Sequence, residues 1–233
     1  MNMPGVFACA AVSAVVLQNA SGADSQQTFK PRIDAELSDW AVEQMPDGSV
    51  TARDGVLDIR DKGGCTVWLR RKLFAPVEIS YEAMAASDAR VSDVNCFWMA
   101  RDPRSPDDFF AGYNRTGAFA TYDNLMTYYV GLGGNDNTTT RLRRYPGDGS
   151  RPLLPQHDLR DRKFLLEGNR WYRITLIARD GSAKFLRDGE MLFDFKDPQF
   201  LSSGWFGIRT VSSHLRIRNV RVSIGTKPSD NPL

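Results

Sequence analysis

Residues 92–145 hold the side chains best suited to chemistry on a ligand. Phe97, Trp98, Phe109, Phe110, Tyr113, Tyr122, Tyr128, Tyr129 and Tyr145 are interleaved there with amide, hydroxyl and arginine side chains. A flat ring covers the C–H face of a pyranose, while amides and guanidinium groups bond its hydroxyls or a carboxylate. The pattern suits a sugar ligand; it equally suits a core that simply buries about half of the rings. Alternation puts Arg141, Arg143 and Tyr145 on one strand face, either as ligand contacts or as a charged sheet edge. Asn135, Asp136 and Asn137 offer oxygens of the kind that ligate calcium, but they lack the D-x-D-x-D-G pattern. A turn is the expected reading, with a structural calcium the one cofactor left open.

Strands must position these residues. Val56–Ile59 follows an Asp54-Gly55 turn, Cys65–Leu69 follows Gly63-Gly64, and Val77–Met84 alternates cleanly between apolar and polar residues. Further strands are expected over 94–100, 118–123, 125–132, 171–179, 183–187, 191–195, 204–211 and 215–224. Asp188-Gly189 is a two-residue hairpin signal. In the last strand the apolar phase slips between Ile217 and Val220, which predicts a β-bulge near Arg218-Asn219. Residues 146–169, rich in Pro, Gly and charge, read as a long loop over one end of the sheet. The expected fold is all-β, an antiparallel β-sandwich or jelly roll.

A length of 233 residues fits one large β-domain. The formal charge of +2 gives no reason to expect nucleic acid or an anionic membrane as partner. The first 23 residues lack Asp, Glu, Lys and Arg, and Val6–Leu17 is apolar. Ser21-Gly22-Ala23 then supplies small residues for cleavage, so residues 1–23 read as a signal peptide and the mature protein as periplasmic or secreted. A lead-in over 24–35, a jelly-roll domain over 36–226 and a tail over 227–233 complete the division. No span suggests membrane insertion. The basic residues are 23 Arg and 7 Lys, a choice that suits bidentate pairing with carboxylates. With only two histidines, His157 and His214, and no zinc-type Cys/His spacing, no metal site is expected. Cys65 and Cys96 both sit on expected strands, either as a disulfide or as two buried thiols.

Three blocks, NCFWMARDP (95–103), TYYVGLGGNDNTTTRLRRY (127–145) and GWFGIRTVSSHLRIRNVRV (204–222), resemble a family of exported bacterial proteins of unassigned function. That family is similar to the concanavalin A-like lectin/glucanase jelly rolls, with relatives in clusters for using pectic polysaccharides such as rhamnogalacturonan. The pattern NRWYRITLIARDG to GWFGIRTVSSHLRIRNV is also similar to the laminin-G-like and keto-disaccharide hydrolase branches. The resemblance covers roughly residues 35–225 and implies a carbohydrate partner.

Retaining glucanases of this fold carry an E-x-D-x-E strand, because acid and nucleophile must lie about 5 Å apart. This sequence has none; Glu78 and Glu82, on one strand, are the nearest pair and are expected to face solvent. Alginate-lyase relatives instead use Tyr, His, Arg and an amide to remove the proton beside a uronate carboxylate. On that model His214, Tyr128 (or Tyr129) and Arg209 are the candidate catalytic residues. Asn95, Trp98, Arg101, Tyr113, Asn135, Arg143 and Tyr145 are the candidate substrate contacts. The lyases' own motifs do not occur, so a lectin-like binding module and an envelope interaction domain stand beside the enzyme reading. Ser212-Ser213 is expected to gather Arg209 and His214 around one turn. His157 is expected to be solvated, and Trp205 to lie in the core.

Overall fold

The computed structural model describes residues 26–111 and 115–225. The expected signal peptide, Tyr113 and the tail therefore lie outside the described residues. The strands are β1 (Gln26–Phe29), β2 (Trp40–Gln44), β3 (Ser49–Arg53), β4 (Val56–Arg60), β5 (Cys65–Leu69) and β6 (Leu73–Phe74). They continue as β7 (Val77–Ala85), β8 (Val94–Arg101), β9 (Met126–Gly133), β10 (Thr139–Pro146) and β11 (Asp158–Leu159). The last are β12 (Tyr172–Arg179), β13 (Ser182–Arg187), β14 (Glu190–Lys196), β15 (Ser203–Thr210) and β16 (His214–Gly225). They form two antiparallel sheets. The first is ordered β14-β13-β12-β7-β16-β4-β3, with β1 also on β16; the second is β11-β10-β9-β8-β15-β5-β2, with β6 also on β15. The expected lead-in thus contributes a strand.

Period-two alternation packs the sheets together. Val77, Ile79, Tyr81 and Ala83 of β7 meet Val94, Cys96 and Trp98 of β8, with Phe206 and Ile208 of β15, in one buried cluster. The Tyr81 and Phe206 rings, from opposite sheets, are 5.6 Å apart. Asp188 (φ 53°) and Gly189 (φ 85°) make the left-handed hairpin turn that their sequence predicts. The predicted bulge in β16 is present: its register against β7 shifts between Arg218 and Arg221, with Asn219 at φ 58°.

The second sheet also carries a cluster on its outer face. Ala41, Trp68, Phe97, Tyr129, Tyr145 and Trp205 are roofed there by Phe109, Tyr122 and Leu125 of the β8–β9 connection. Phe109 stacks on Trp205 at 4.7 Å, so Trp205 is buried in this outer cluster and not between the sheets. Buried Arg115 pins the connection: Nε donates to Glu43 Oε1 at 3.0 Å, Nη2 to the Phe109 carbonyl at 2.7 Å, and Nη1 lies 3.5 Å from Asp102. The strand expected at 118–123 is instead a 3-10 helix, Phe119–Tyr122. This segment lies across the sheet face, where no neighbouring strand pairs with its backbone.

Cys65 and Cys96 are free and buried. They oppose Thr210 and Ile208 of β15, which runs between their strands. Two strand spacings make a gap of roughly 10 Å, beyond the reach of a disulfide. Burial pushes the Cys96 thiol up to about 12, which keeps it protonated.

A β-bulge at Met99 (φ 54°) interrupts the pairing of β8 with both neighbours, and Trp98 and Met99 consequently both join the inter-sheet core. Gly204 lets β15 approach this bulge; a Cβ there would collide with the Met99 carbonyl carbon and the Ala100 nitrogen. Because the obstacle is backbone, Gly204→Ala is expected to cost about 1–3 kcal/mol. Urea unfolding checks this: the midpoint falls while the slope stays unchanged.

Candidate functional site

Antiparallel register lines up two rows across the outer face of the second sheet. One runs Asp158, Arg141, Gly131, Asn95, Arg209, Thr66, Glu43. The other runs Arg143, Tyr129, Phe97, Gly207, Trp68, Ala41. A polar row therefore lies beside an aromatic row. The covering connection closes over one half of the face. Over the other half is a groove of about 530 Å³, walled by Tyr129, Phe119, Arg143, Arg151 and the β9–β10 turn. Gly131 keeps its floor low, since a Cβ there would sit 3.3 Å from the Tyr129 hydroxyl and 3.6 Å from Asn95 Oδ1.

The groove is edged with charge. Arg90, Arg141, Arg143 and Arg151 line it against Asp93 and Asp136. Arg141 holds Asp158 with a two-pronged contact of 2.7 and 3.1 Å, tying β11 to β10. Arg151 donates to Asp123 at 2.8 Å and lies 4.5 Å over the Phe119 ring. Arg143 donates to the Arg151 carbonyl. Arg90 bridges Asp136 and Asp93, the latter at 2.7 Å.

Beneath this layer Arg209 is fully buried. Its Nη1 donates to Thr66 Oγ1 at 3.0 Å and to the Gly117 carbonyl at 2.7 Å. Its guanidinium lies 4.8 and 5.0 Å from the rings of Phe119 and Tyr122. Among the described residues, Arg209 Nε and Nη2 and the adjoining Asn95 Oδ1 have no hydrogen-bond partner. Buried polar atoms left this way are uncommon and ask for an explanation.

The turn between β9 and β10 shapes one end of the groove. Asn135, Asp136 and Asn137 all adopt left-handed backbone, φ 52°, 57° and 59°, which Asn and Asp tolerate best among residues with a side chain. Asn137 exchanges two hydrogen bonds with the Leu166 backbone, at 2.9 and 2.8 Å. Asn135 donates to Thr139 at 3.0 Å. This is the turn that the sequence predicts, braced by its own side chains.

The sequence-predicted site residues divide. Asn95, Asn135, Arg143, Tyr145 and Arg209 share the outer face of the second sheet. Tyr145 is buried there behind Tyr129, 5.6 Å ring to ring. Trp98 and Tyr128 instead lie between the sheets. The Tyr128 hydroxyl donates to Asp197 at 2.8 Å and accepts from the Leu201 amide at 3.0 Å, so it serves the core. The parity of β9 explains this: Tyr128 shares a face with Val130 and Leu132, whereas Tyr129 shares one with Gly131. Arg101 stands opposite Met126, past the bulge and some 20 Å along β8 from Asn95. His214 belongs to the first sheet, where Nδ1 meets Asp88 at 2.7 Å and Nε2 meets Asp58 at 3.0 Å. The Ser212-Ser213 turn carries the chain from one sheet to the other, so it separates His214 from Arg209. His157 is buried against Phe193 and Phe195 and is not solvated. Arg90, Asp93, Phe119 and Arg151 were not legible as groove residues; they come from connections that no strand periodicity places.

A family model described as a domain of unknown function (DUF6250) matches residues 59–220. The chain belongs to that family. No curated protein sequence matches it. Among solved structures, this DUF6250 domain is similar to a Bacillus subtilis protein of unknown function with a galectin-like fold, with TM-score 0.67 and 16% identity over 87% of this chain and 96% of that one. It is similar to the carbohydrate-binding module CBM66 from Bacillus subtilis, with TM-score 0.55 and 11% identity over 78% and 94%. It is similar to the exoplasmic/lumenal domain of VIP36 in its Ca2+/Man-bound form, with TM-score 0.56 and 12% identity over 88% and 91%. At these identities the likeness shows the fold: the DUF6250 domain is a galectin-like, concanavalin A-like sandwich.

The hydrogen bonds from Arg141, then those from Arg160, hold the Asp158 carboxyl down to about 2. A depressed carboxylate contributes stability above its unfolded value near 3.9, and that stability is lost as pH falls through about 2. The clasp between β10 and β11 should therefore be whole above about pH 4. Carboxyl-carbon NMR should give Asp158 a midpoint near 2, and Arg141→Gln should move it up towards 3.9.

Proposed function

We propose that the outer face of the second sheet binds a carbohydrate, and specifically one that carries carboxylates. The observation that carries this reading is the pairing of an arginine-lined groove with a ring wall over buried, unpartnered polar groups. Four arginines line the groove against two aspartates, and a fifth, Arg209, lies beneath its floor. Tyr129 and Phe119 offer rings to a sugar face, while Arg143, which forms no ion pair among the described residues, offers N–H groups to a uronate. The low floor at Gly131 leaves room for a ring that a larger residue would exclude. Two of the structural neighbours support a sugar ligand by what they are, a carbohydrate-binding module and a Ca2+/Man-bound lumenal domain. Export through the uncharged N-terminal stretch fits a glycan met outside the cytoplasm.

Binding without turnover is the better-supported form of this activity. β-Elimination needs a base close to neutral. Burial raises the Tyr129 hydroxyl well above its ordinary value, so it holds its proton at pH 7. Both histidines of the chain lie elsewhere, His214 on the first sheet and His157 behind β10.

Calorimetry against a polyuronate and a neutral glucan tests the reading. The polyuronate should bind, and more weakly as salt is raised. Arg143→Ala should lose about 1.5–3 kcal/mol, roughly ten- to a hundredfold in Kd. Arg209→Met should also weaken binding yet leave the melting temperature unchanged or raised, since a buried charge with free donors costs stability. Equal affinity for the neutral glucan would remove the acidic specificity. Unsaturated-uronate absorbance on incubation would replace binding with catalysis.

A further inference from the structure

Strand β10 has a second face. Arg141, Arg143 and Tyr145 share the outer face, the first two lining the groove; Leu142, Arg144 and Pro146 point the other way. There the 146–157 arm and the turn after β14 enclose a cavity of about 340 Å³. Its walls are Leu142, Pro146, Pro152, Leu154, Phe195 and Pro198. Three of these are prolines, whose locked φ fixes the shape of the walls before any ligand arrives. A volume in this range with mostly apolar lining and few polar groups is typical of small-molecule sites.

The charged groups at the rim are spoken for. Arg144 donates to Asp197 at 3.2 Å, to the Tyr145 carbonyl at 3.2 Å and to the Gln199 carbonyl at 3.1 Å. Asp197 also accepts from Tyr128 at 2.8 Å and from the Gln199 amide at 2.8 Å. The charges there are mutually satisfied and ask nothing of a ligand. His157 differs from them. The residue is buried, and its ring is held edge-on to Phe193 and Phe195 at 5.6 Å each. Among the described residues neither ring nitrogen has a hydrogen-bond partner, and the imidazole borders the cavity. Burial lowers its pKa, so at pH 7 the ring is neutral and offers one donor and one acceptor.

We propose that this cavity is a second binding site, for a neutral single-ring aromatic alcohol of the phenol type, read by His157. The flat walls and the Phe195 ring accept the aromatic face. The unpartnered imidazole takes the hydroxyl. A carboxylate is disfavoured, because Arg144, the one arginine or lysine at the rim among the described residues, already spends its donors on protein acceptors. The site does not rest on the glycan reading, since the two faces of β10 keep the ligands apart.

Imidazole-detected NMR tests this on the whole protein. The chain has only two histidines, and His214, held between Asp58 and Asp88, is the internal control. Phenol should shift the His157 signals and leave those of His214 in place. Toluene and benzoate should each bind about tenfold more weakly than phenol, the effect of one hydrogen bond in an apolar site. His157→Phe should bring phenol and toluene to equal affinity while polyuronate binding stays unchanged. Should that variant fold poorly, Leu154→Asp at the exposed mouth should weaken both ring probes. The proposal is overturned if phenol leaves His157 unmoved, if phenol and toluene bind the natural protein equally, or if Leu154→Asp has no effect on either.

Discussion

The register of antiparallel pairing through β10, β9, β8 and β15 is the constraint on which both faces of the second sheet depend. It is set from the inside. Cys96, Trp98, Val130, Leu132, Phe206 and Ile208 must all face the first sheet at once. A slip of one residue in β8 would put Cys96 outside and Asn95 into the core, at the cost of burying an amide among apolar side chains. The alignment of Arg141, Gly131, Asn95 and Arg209 is thus inherited from core packing. The outer face contributes its chemistry without having to hold itself in place.

Buried arginines do a second kind of work. Arg115 ties the β8–β9 connection to Glu43 and to Asp102, and its guanidinium lies 4.1 Å from the Phe109 ring. Burial raises the Glu43 carboxyl and Arg115 opposes that rise, so the pair stays a coupled unit beneath the roof. Such pairs seldom add net stability over apolar residues of the same size. What this one provides is position: it fixes which aromatic residues the roof covers, and so where the open groove begins. Arg209 differs, because its guanidinium is only half satisfied. Arg115 meets two carboxylates, whereas the hydrogen bonds of Arg209 go to neutral acceptors, a hydroxyl and a carbonyl.

The sandwich was legible because strands announce themselves by alternation and by turns such as Asp188-Gly189. The bulge in β16 was legible as a break in that alternation. The same parity, applied to β9, separates Tyr128 from Tyr129, since valine and leucine flank one and glycine the other. Placing His214 beside Arg209 failed for a different reason. Sequence proximity across a two-residue turn says nothing about whether the turn stays within a sheet or crosses between sheets. The groove residues in connections, Arg90, Phe119 and Arg151, carry no periodic signal at all. His157 looked exposed because its surroundings are polar in sequence; Phe193 and Phe195, which bury it, lie more than thirty residues further along the chain.

The order of strands has a consequence for how the molecule comes into being. β15 and β16, the last of the described strands, do not sit at the margins. β15 lies between β8 and β5, and β16 between β7 and β4. The second sheet cannot close before β15 ends at Thr210, nor the first before β16 is made over His214–Gly225, because each lacks a central member until then. A nascent chain halted at β14 would expose two split sheets with unpaired inner edges. Folding therefore waits on strands that are made late, is dominated by contacts distant in sequence and is correspondingly slow. That delay leaves the polypeptide threadable until both inner strands have been made.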